Sequence, residues 1–220
     1  MDRYETCIRQ WDNIFAEKPP SFPESPESGI PELDRGLQWL IQGAESVLDF
    51  GCGNGTLLFL CSRYGTREHI GIDLSGQAVR NAEAASRRAE KGTFRFFRGS
   101  TERLKALGDA AMDAAILSNI LDNLYPEDAK QVLAEVRRIL KPGGRLLVKL
   151  NPCLTPEQIR AWGIRTVCGN LLDDGMLLWN NTDAQWESLL SEGFTIRDRR
   201  EVRYGETDRA DRLFLLVREQ

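Results

Sequence analysis

Nothing in the chain constrains its fold more than the segment Val47-Leu48-Asp49-Phe50-Gly51-Cys52-Gly53-Asn54-Gly55-Thr56. An apolar run delivers a carboxylate, and three glycines at alternate positions follow. A continuous apolar run bounded by glycine is how a strand buried on both faces reads, and glycines let a ligand lie almost on the backbone. The pattern predicts a strand, a loop and a helix, with Asp49 at the strand's carboxyl end. The nearest alternative is G-x-G-x-x-G, in which amide groups at the helix start meet a pyrophosphate. Here the spacing is G-x-G-x-G, with Thr56 at the sixth position. Asp49 would repel a pyrophosphate, whereas it suits an ammonium group. The loop therefore points to a nucleoside ligand that carries an amino group and no phosphate.

One strand later, His69-Ile70-Gly71-Ile72-Asp73-Leu74-Ser75 reads as a short apolar strand ending in a second carboxylate. An acid at this distance from a glycine loop accepts hydrogen bonds from both ribose hydroxyls. Otherwise Asp73 is a simple strand-end or capping acid. Ser75 reads as the N-cap of a helix through Ala78, Ala82 and Ala85.

The rest of the chain alternates. A helix begins near Pro31, with Leu33, Leu37, Leu40 and Ile41 in phase, and stops at Gly43. A helix over Asn54–Tyr64 follows the first strand, and the helix after Asp73 ends near Gly92. Further strands are expected at Thr93–Arg98, Asp113–Ser118 and Arg145–Leu150, with a helix over Pro126–Leu140. Such alternation implies a parallel sheet covered by helices on both faces. Phe194–Tyr204 and Asp211–Glu219 read instead as an antiparallel pair joined by a short Gly/Asp-containing loop. Between these regions, Leu171–Trp179 reads as a small hairpin turned at Asp174-Gly175, and Thr182 caps a helix bearing Trp186, Leu189 and Leu190.

Residues 1–30 read as a separate arm. Tyr4, Cys7, Ile8, Trp11, Ile14 and Phe15 form one helical stripe, followed by a loop over Lys18–Pro31 with five prolines and little to bury. Residues 31–220 then form the main domain.

Four segments carry a family resemblance: Asp49–Gly55, the strand end at Asp73, Asp113–Asn123, and the turn Lys141-Pro142-Gly143-Gly144. Together they resemble the class I S-adenosylmethionine-dependent methyltransferases of small-molecule type, with a single Rossmann-like domain. The resemblance implies an α/β fold: a doubly wound, mostly parallel seven-stranded sheet with a C-terminal antiparallel hairpin and helices on both faces. It implies S-adenosylmethionine as methyl donor, S-adenosylhomocysteine as product and a small-molecule acceptor. Asp49 would meet the methionine amino group, with Gly51, Cys52, Gly53, Asn54 and Gly55 along the cofactor and Asp73 and Leu74 at the ribose. In similar enzymes the turn after the third strand meets the adenine, often through an acidic side chain. Ser100 occupies that slot here, so Glu102 or the backbone around Thr101 takes the role, or Ser100 or Thr101 caps a short helix. After the fourth strand, Ser118 and Asn119 would contact the cofactor mostly by backbone. Asp122 and Asn123 would face the acceptor, or cap the turn before Pro126. The arm folds over the cofactor in similar enzymes, which makes Tyr4 and Trp11 lid candidates as well as core residues.

Methyl transfer from a sulfonium relies on alignment, with a general base needed only for acceptors of high pKa. Asp122 is the candidate base. Tyr4, Trp11, Asn123, Asn151 and Trp179 are candidates for the acceptor pocket, each with a structural role as the alternative. The loop after the fourth strand is not Asn-Pro-Pro-Tyr, which removes the usual signature of methylation at a nucleic-acid base.

Composition narrows the partners. In 220 residues, 41% hydrophobic and 28% charged, the net charge of −4 leaves no footprint for nucleic acid. Arg197, Arg199, Arg200 and Arg203 alternate with Asp198 and Glu201, as on a solvated strand face that discourages edge pairing. Five scattered cysteines fit reduced thiols in a cytoplasmic protein, and the single His69 lacks the partners of a metal site. No apolar run approaches the ~18 residues of a membrane span, and no leader pattern opens the chain. Two other readings remain: a non-catalytic module that keeps the cofactor pocket, and a nicotinamide oxidoreductase, which Asp49 and Thr56 disfavour.

Overall fold

The computed structural model describes residues 2–204 and 210–219. A helical turn at Asp2–Tyr4 leads into α1 (Glu5–Ala16), and α2 (Pro31–Leu40) precedes β1 (Ser46–Phe50). The alternating region runs α3 (Thr56–Arg63), β2 (Glu68–Asp73), α4 (Gly76–Ser86), β3 (Thr93–Arg98), α5 (Thr101–Lys105), β4 (Met112–Ser118), α6 (Pro126–Ile139) and β5 (Leu140–Leu150). Then come α7 (Pro156–Ala161), the short strands β6 (Arg165–Cys168), β7 (Leu171–Asp173) and β8 (Leu177–Trp179), α8 (Asp183–Ser191), β9 (Thr195–Arg203) and β10 (Ala210–Val217).

The main sheet has seven strands in the order β3-β2-β1-β4-β5-β10-β9. Pairings among β1 to β5 are parallel, and β10 pairs antiparallel with both β5 and β9. The expected architecture is therefore present. The Gly/Asp-containing loop expected between β9 and β10 falls on residues 205–209 and lies outside the described residues. Chain order reverses between β1 and β4, which opens a crevice at their carboxyl ends.

Side-chain alternation along each strand supplies two cores. Val47, Ile116, Leu147, Leu213 and Leu215 face one side, with Leu37 of α2 and Leu58 and Phe59 of α3. Leu48, Phe50, Leu117, Val148, Phe214 and Leu216 face the other, with Val132 and Val136 of α6 and Trp186 of α8. Each fully buried Leu or Val contributes about 1.5–3 kcal/mol relative to exposure.

Three details differ from the sequence reading. The fifth strand starts at Leu140 rather than Arg145, because Leu140 already pairs with Met112 and Gly143 N donates to Arg218 O. A register shift between Met112 and Ala114 accommodates the Pro-Gly-Gly segment as a bulge. The small hairpin gains a third strand, β6, giving a separate sheet β6-β7-β8. The proline loop also buries Phe22, whose ring lies 4.9 Å from that of Phe59.

His69 is a strand residue of β2, its ring stacked 4.3 Å from Phe94 and hydrogen-bonded to Thr66 Oγ1. On the edge strand β9, Arg197, Arg199, Arg200 and Arg203 each pair with a carboxylate. Among the described residues no helix is long and apolar enough to cross a membrane, and no cluster of three His, Cys, Asp or Glu is placed to hold a metal ion.

Candidate functional site

The carboxyl ends of β1, β2 and β4 form the floor of a cavity of about 930 Å³, open to solvent. After β1 the chain turns sharply, with Gly51 at φ +81° and Gly53 at φ +51°, a region that favours glycine. A Cβ on Gly51 would lie 3.0 Å from Ile120, and one on Gly53 would lie 3.1 Å from the Phe15 ring. At both positions a larger side chain would crowd a neighbouring side chain, so the turn closes only with glycine. It is tied to β2, since Gly51 N and Cys52 N both donate to Ile72 O.

Asp73 stands at the end of β2 on the cavity wall. Its two oxygens accept from Gly53 N and Ser75 N, each at 2.8 Å, so the carboxylate is fixed while retaining further lone pairs. Burial raises its pKa, and the backbone donors oppose that rise. Asp49 is buried at the end of β1, with Oδ1 lacking a hydrogen-bond partner among the described residues. Burial first, and then the charge of Asp73, push its pKa well above the usual carboxylate range. An uncompensated buried carboxylate of this kind is costly, which is why its protonated form is favoured.

Ser118 and Asn119 line the cavity at the end of β4. Asn119 has φ +52°, which asparagine tolerates better than most residues. Three contacts hold it there. Its N donates to Lys149 O at 2.7 Å, its Nδ2 donates to Asn151 Oδ1 at 2.9 Å, and Lys149 Nζ donates to its Oδ1. Lys149 is itself paired with Asp211 at 2.7 Å.

α1 roofs the cavity with Cys7, Ile8, Trp11 and Phe15, and Tyr4 stands at its start. None of the helix's own residues is fully buried: Trp11 and Phe15 face the cavity, and Cys7 and Ile8 face it while also packing against the core. The helix is pinned at both ends. Asp12 Oδ1 accepts from Ser75 Oγ at 2.6 Å and from Gln77 N at 3.0 Å, and Asn81 Nδ2 donates to the carbonyls of Phe15 and Lys18. At the other end Tyr4 OH donates to Asp128 Oδ2 and accepts from Tyr125 N.

Of the sequence candidates, Tyr4, Trp11, Gly51, Gly53, Asp73, Leu74, Ser100, Ser118, Asn119 and Asn123 line this cavity. Others stand elsewhere. Asp122, the candidate base, is fully buried in the helical turn Leu121–Asn123 and accepts from Asn151 N at 2.6 Å and Asn151 Nδ2 at 3.0 Å. Its carboxylate braces Asn151 and does not face the cavity, which corrects its assignment as a base. Asn151 in turn reaches Asn119 and Asn123 from behind. Trp179 is also corrected: it is a core residue, its Nε1 donating to Asn170 and its ring 5.1 Å from Trp186.

Asp49 and Cys52 are buried and do not line the cavity. Asn54 Oδ1 accepts from Asn81 Nδ2 at 3.3 Å, and Gly55 is the N-cap of α3, where a Cβ would meet the Phe96 ring at 3.0 Å. Glu102 Oε1 accepts from Ser100 N at 2.9 Å and Thr101 begins α5, and neither lines the cavity. Phe50, Ile72 and Gly99 line it at the strand ends, and Ile120 and Leu124 also line it. Nothing in the sequence marked the last two, because an apolar residue in a loop looks the same whether it fills a core or walls a site.

Residues 48–148 match the family model described as a methyltransferase domain. A ribosomal protein L11 methyltransferase of Cupriavidus metallidurans is 32% identical over 143 residues, 56% of this chain and 42% of that protein. The chain thus matches less than half the length of such relatives. Among solved structures, the 1,6-didemethyltoxoflavin-N1-methyltransferase of Burkholderia thailandensis, with bound 1,6-didemethyltoxoflavin and S-adenosylhomocysteine, superposes with TM-score 0.71 at 18% identity. That match covers 100% of this chain and 90% of the other. The N-methyltransferase NodS of Bradyrhizobium japonicum, in complex with S-adenosylhomocysteine, gives TM-score 0.69 at 14% identity, covering 98% and 100%. The matched residues 48–148 carry β1 to β5 and the cavity floor and form a methyltransferase domain, and the sheet as a whole has the fold of these S-adenosylhomocysteine-bound methyltransferases.

Proposed function

We propose that the protein binds S-adenosylmethionine across the head of the sheet and transfers its methyl group to a small-molecule acceptor held under α1. The observation that carries this reading is the Asp73 carboxylate, clamped by Gly53 N and Ser75 N on the cavity wall beside two bare glycines. That geometry supports a ribose diol on Asp73 and the nucleoside against Leu74 and Ser100. Asp49, just before the loop but not on the cavity wall, supports an ammonium-bearing ligand through its charge rather than by contact. Arrangement of β10 antiparallel beside β5 also separates this sheet from the all-parallel dinucleotide order, which argues against a nicotinamide oxidoreductase.

When bound, S-adenosylmethionine supplies a methyl group on a cationic sulfur with a good leaving group. The protein's own part is positional: the glycine loop, Asp73 and Asn119 orient the donor, and α1 excludes water. Alignment of this kind lowers a barrier by about 7–11 kcal/mol in favourable cases. Enclosure by α1 supports a small acceptor rather than a folded protein. Adding S-adenosylhomocysteine is expected to raise the melting temperature through linkage. No shift at millimolar ligand overturns the reading, and binding without methyl transfer to any fractionated metabolite leaves the non-catalytic module instead.

A further inference from the structure

The two halves of α1 cover different ground. Its C-terminal half is docked on α4 through Asp12 and Asn81, with Phe15 against Gly53, so Trp11 and Phe15 roof the cofactor end. Its N-terminal half is docked on the segment after β4, where Tyr4 meets Tyr125 and Asp128. The space there is walled by Tyr4, Cys7, Ile8, Ile120, Asn123 and Leu124. Every polar group in that wall except the Cys7 thiol is already engaged. The Tyr4 hydroxyl is held by Asp128 and Tyr125 N, and burial followed by the bond to Asp128 raises its pKa. Asn123 Nδ2 donates to Leu177 O at 2.9 Å, and its Oδ1 accepts from Asn151 at 3.2 Å. No carboxylate, lysine, arginine or histidine stands in this wall.

Cys7 also lines a second opening, between α1 and the β7–β8 hairpin, together with Arg3, Tyr125, Arg165 and Leu177. The charges at its mouth are compensated: Arg3 pairs with Glu127 and Asp128, and Arg165 pairs with Asp173. Cys7 alone stands between this opening and the apolar wall, being the one residue common to both.

Resting on the reading above, we propose that the acceptor is an uncharged, largely apolar small molecule methylated on a neutral nitrogen or sulfur, and that it enters between α1 and the β7–β8 hairpin. A charged acceptor would lose its hydration in this wall and find no partner. An alcohol or carbon acid would need a base that the wall does not hold. A neutral nitrogen or sulfur presents its lone pair without one. That lone pair forms the new bond to the methyl carbon as the carbon–sulfur bond breaks, and the electron pair of the broken bond stays on the donor sulfur. A thioether sulfur or tertiary nitrogen carries no proton to lose, and a proton carried by an attacking N–H group leaves to water.

The test uses the full chain saturated with S-adenosylhomocysteine and reads melting temperature. The probes are quinoline and 1-(methylthio)naphthalene, compared with 1-naphthoate and 1-naphthylmethylammonium. The neutral probes are expected to add about 2 °C or more, and the charged ones nothing. Cys7→Trp, which fills the junction of the two openings, is expected to abolish the added shift while keeping the shift from S-adenosylhomocysteine, which also shows that the variant folds. Absence of any shift with neutral probes overturns the assignment, as does a larger shift with a charged probe or a shift that survives in Cys7→Trp. No response to S-adenosylhomocysteine itself overturns the cofactor reading and the acceptor assignment with it.

Discussion

Asp12 reaches across 63 residues of sequence to accept a hydrogen bond from Ser75 Oγ at 2.6 Å, the same serine that caps α4 through Ala78 N. One carboxylate thus fastens the roof of the cavity to the helix that follows Asp73. Its pKa is lowered despite partial burial, because Ser75 and Gln77 N donate to it and Arg98 and Arg80 lie near.

Asp12→Ala is expected to cost about 1 kcal/mol of stability, the usual loss for a helix-capping side chain. Its larger effect is kinetic. With α1 loosened, S-adenosylhomocysteine is expected to leave severalfold faster, read by stopped-flow fluorescence of Trp11. An unchanged off-rate would show that the arm does not hold the ligand.

Asp73→Ala is expected to weaken S-adenosylhomocysteine binding more than tenfold in calorimetric titration. It also leaves Gly53 N and Ser75 N without their acceptor, at a cost of about 1–3 kcal/mol each if water cannot reach them. Asp73→Asn restores one acceptor oxygen, so it is expected to recover stability more than affinity. Affinity equal to the native protein's in either variant would remove Asp73 from the ribose.

For Asp49 the sign of the pH dependence follows from its raised folded-state pKa. Above the ordinary value of 3.8 and below the folded value, the folded protein holds a proton that the unfolded chain has released. Stability of the ligand-free protein therefore falls as pH rises through that window, and levels off above it. Burial raises Asp73 and Asp122 as well, so the three carboxylates share the slope. Asp49→Asn is expected to make urea midpoints less pH-dependent, to raise the melting temperature at neutral pH and to weaken cofactor binding. A native-like pH slope in that variant would mean that Asp49 is not the buried proton acceptor described here.

Lys149 and Asp211 form an ion pair with side chains only 8% and 12% exposed. Lys149→Met leaves Asp211 buried and unpaired, a loss of about 3–5 kcal/mol. The double variant Lys149→Met/Asp211→Leu is expected to regain most of it in chemical unfolding. Because Lys149 Nζ also holds Asn119, cofactor affinity is expected to stay reduced in the double variant. Recovery of both would make the pair purely structural.

Local pattern was enough to read the strands, the glycine loop, Asp73 and the antiparallel end of the sheet, because each is written in neighbouring residues. Apolar runs and glycines at alternate positions dictate backbone conformation within a few residues, and alternation with helices dictates a parallel sheet. The Tyr4–Phe15 stripe was visible as well, but not what it covers. Asp122 shows the limit. In sequence it stands beside Asn123 after β4, equally placed for chemistry, yet in the structure one faces the cavity and the other is buried against Asn151, 29 residues away.

The sequence by itself determined the order of elements and the chemistry of the loop, since these follow from short-range backbone preferences and hydrophobic period. Only the tertiary structure decided which side of α1 looks inward, that Asp122 and Trp179 belong to the interior, and that the wall near Cys7 carries no charge. Those outcomes depend on contacts between segments far apart along the chain, which are selected by packing the whole molecule rather than by any local pattern.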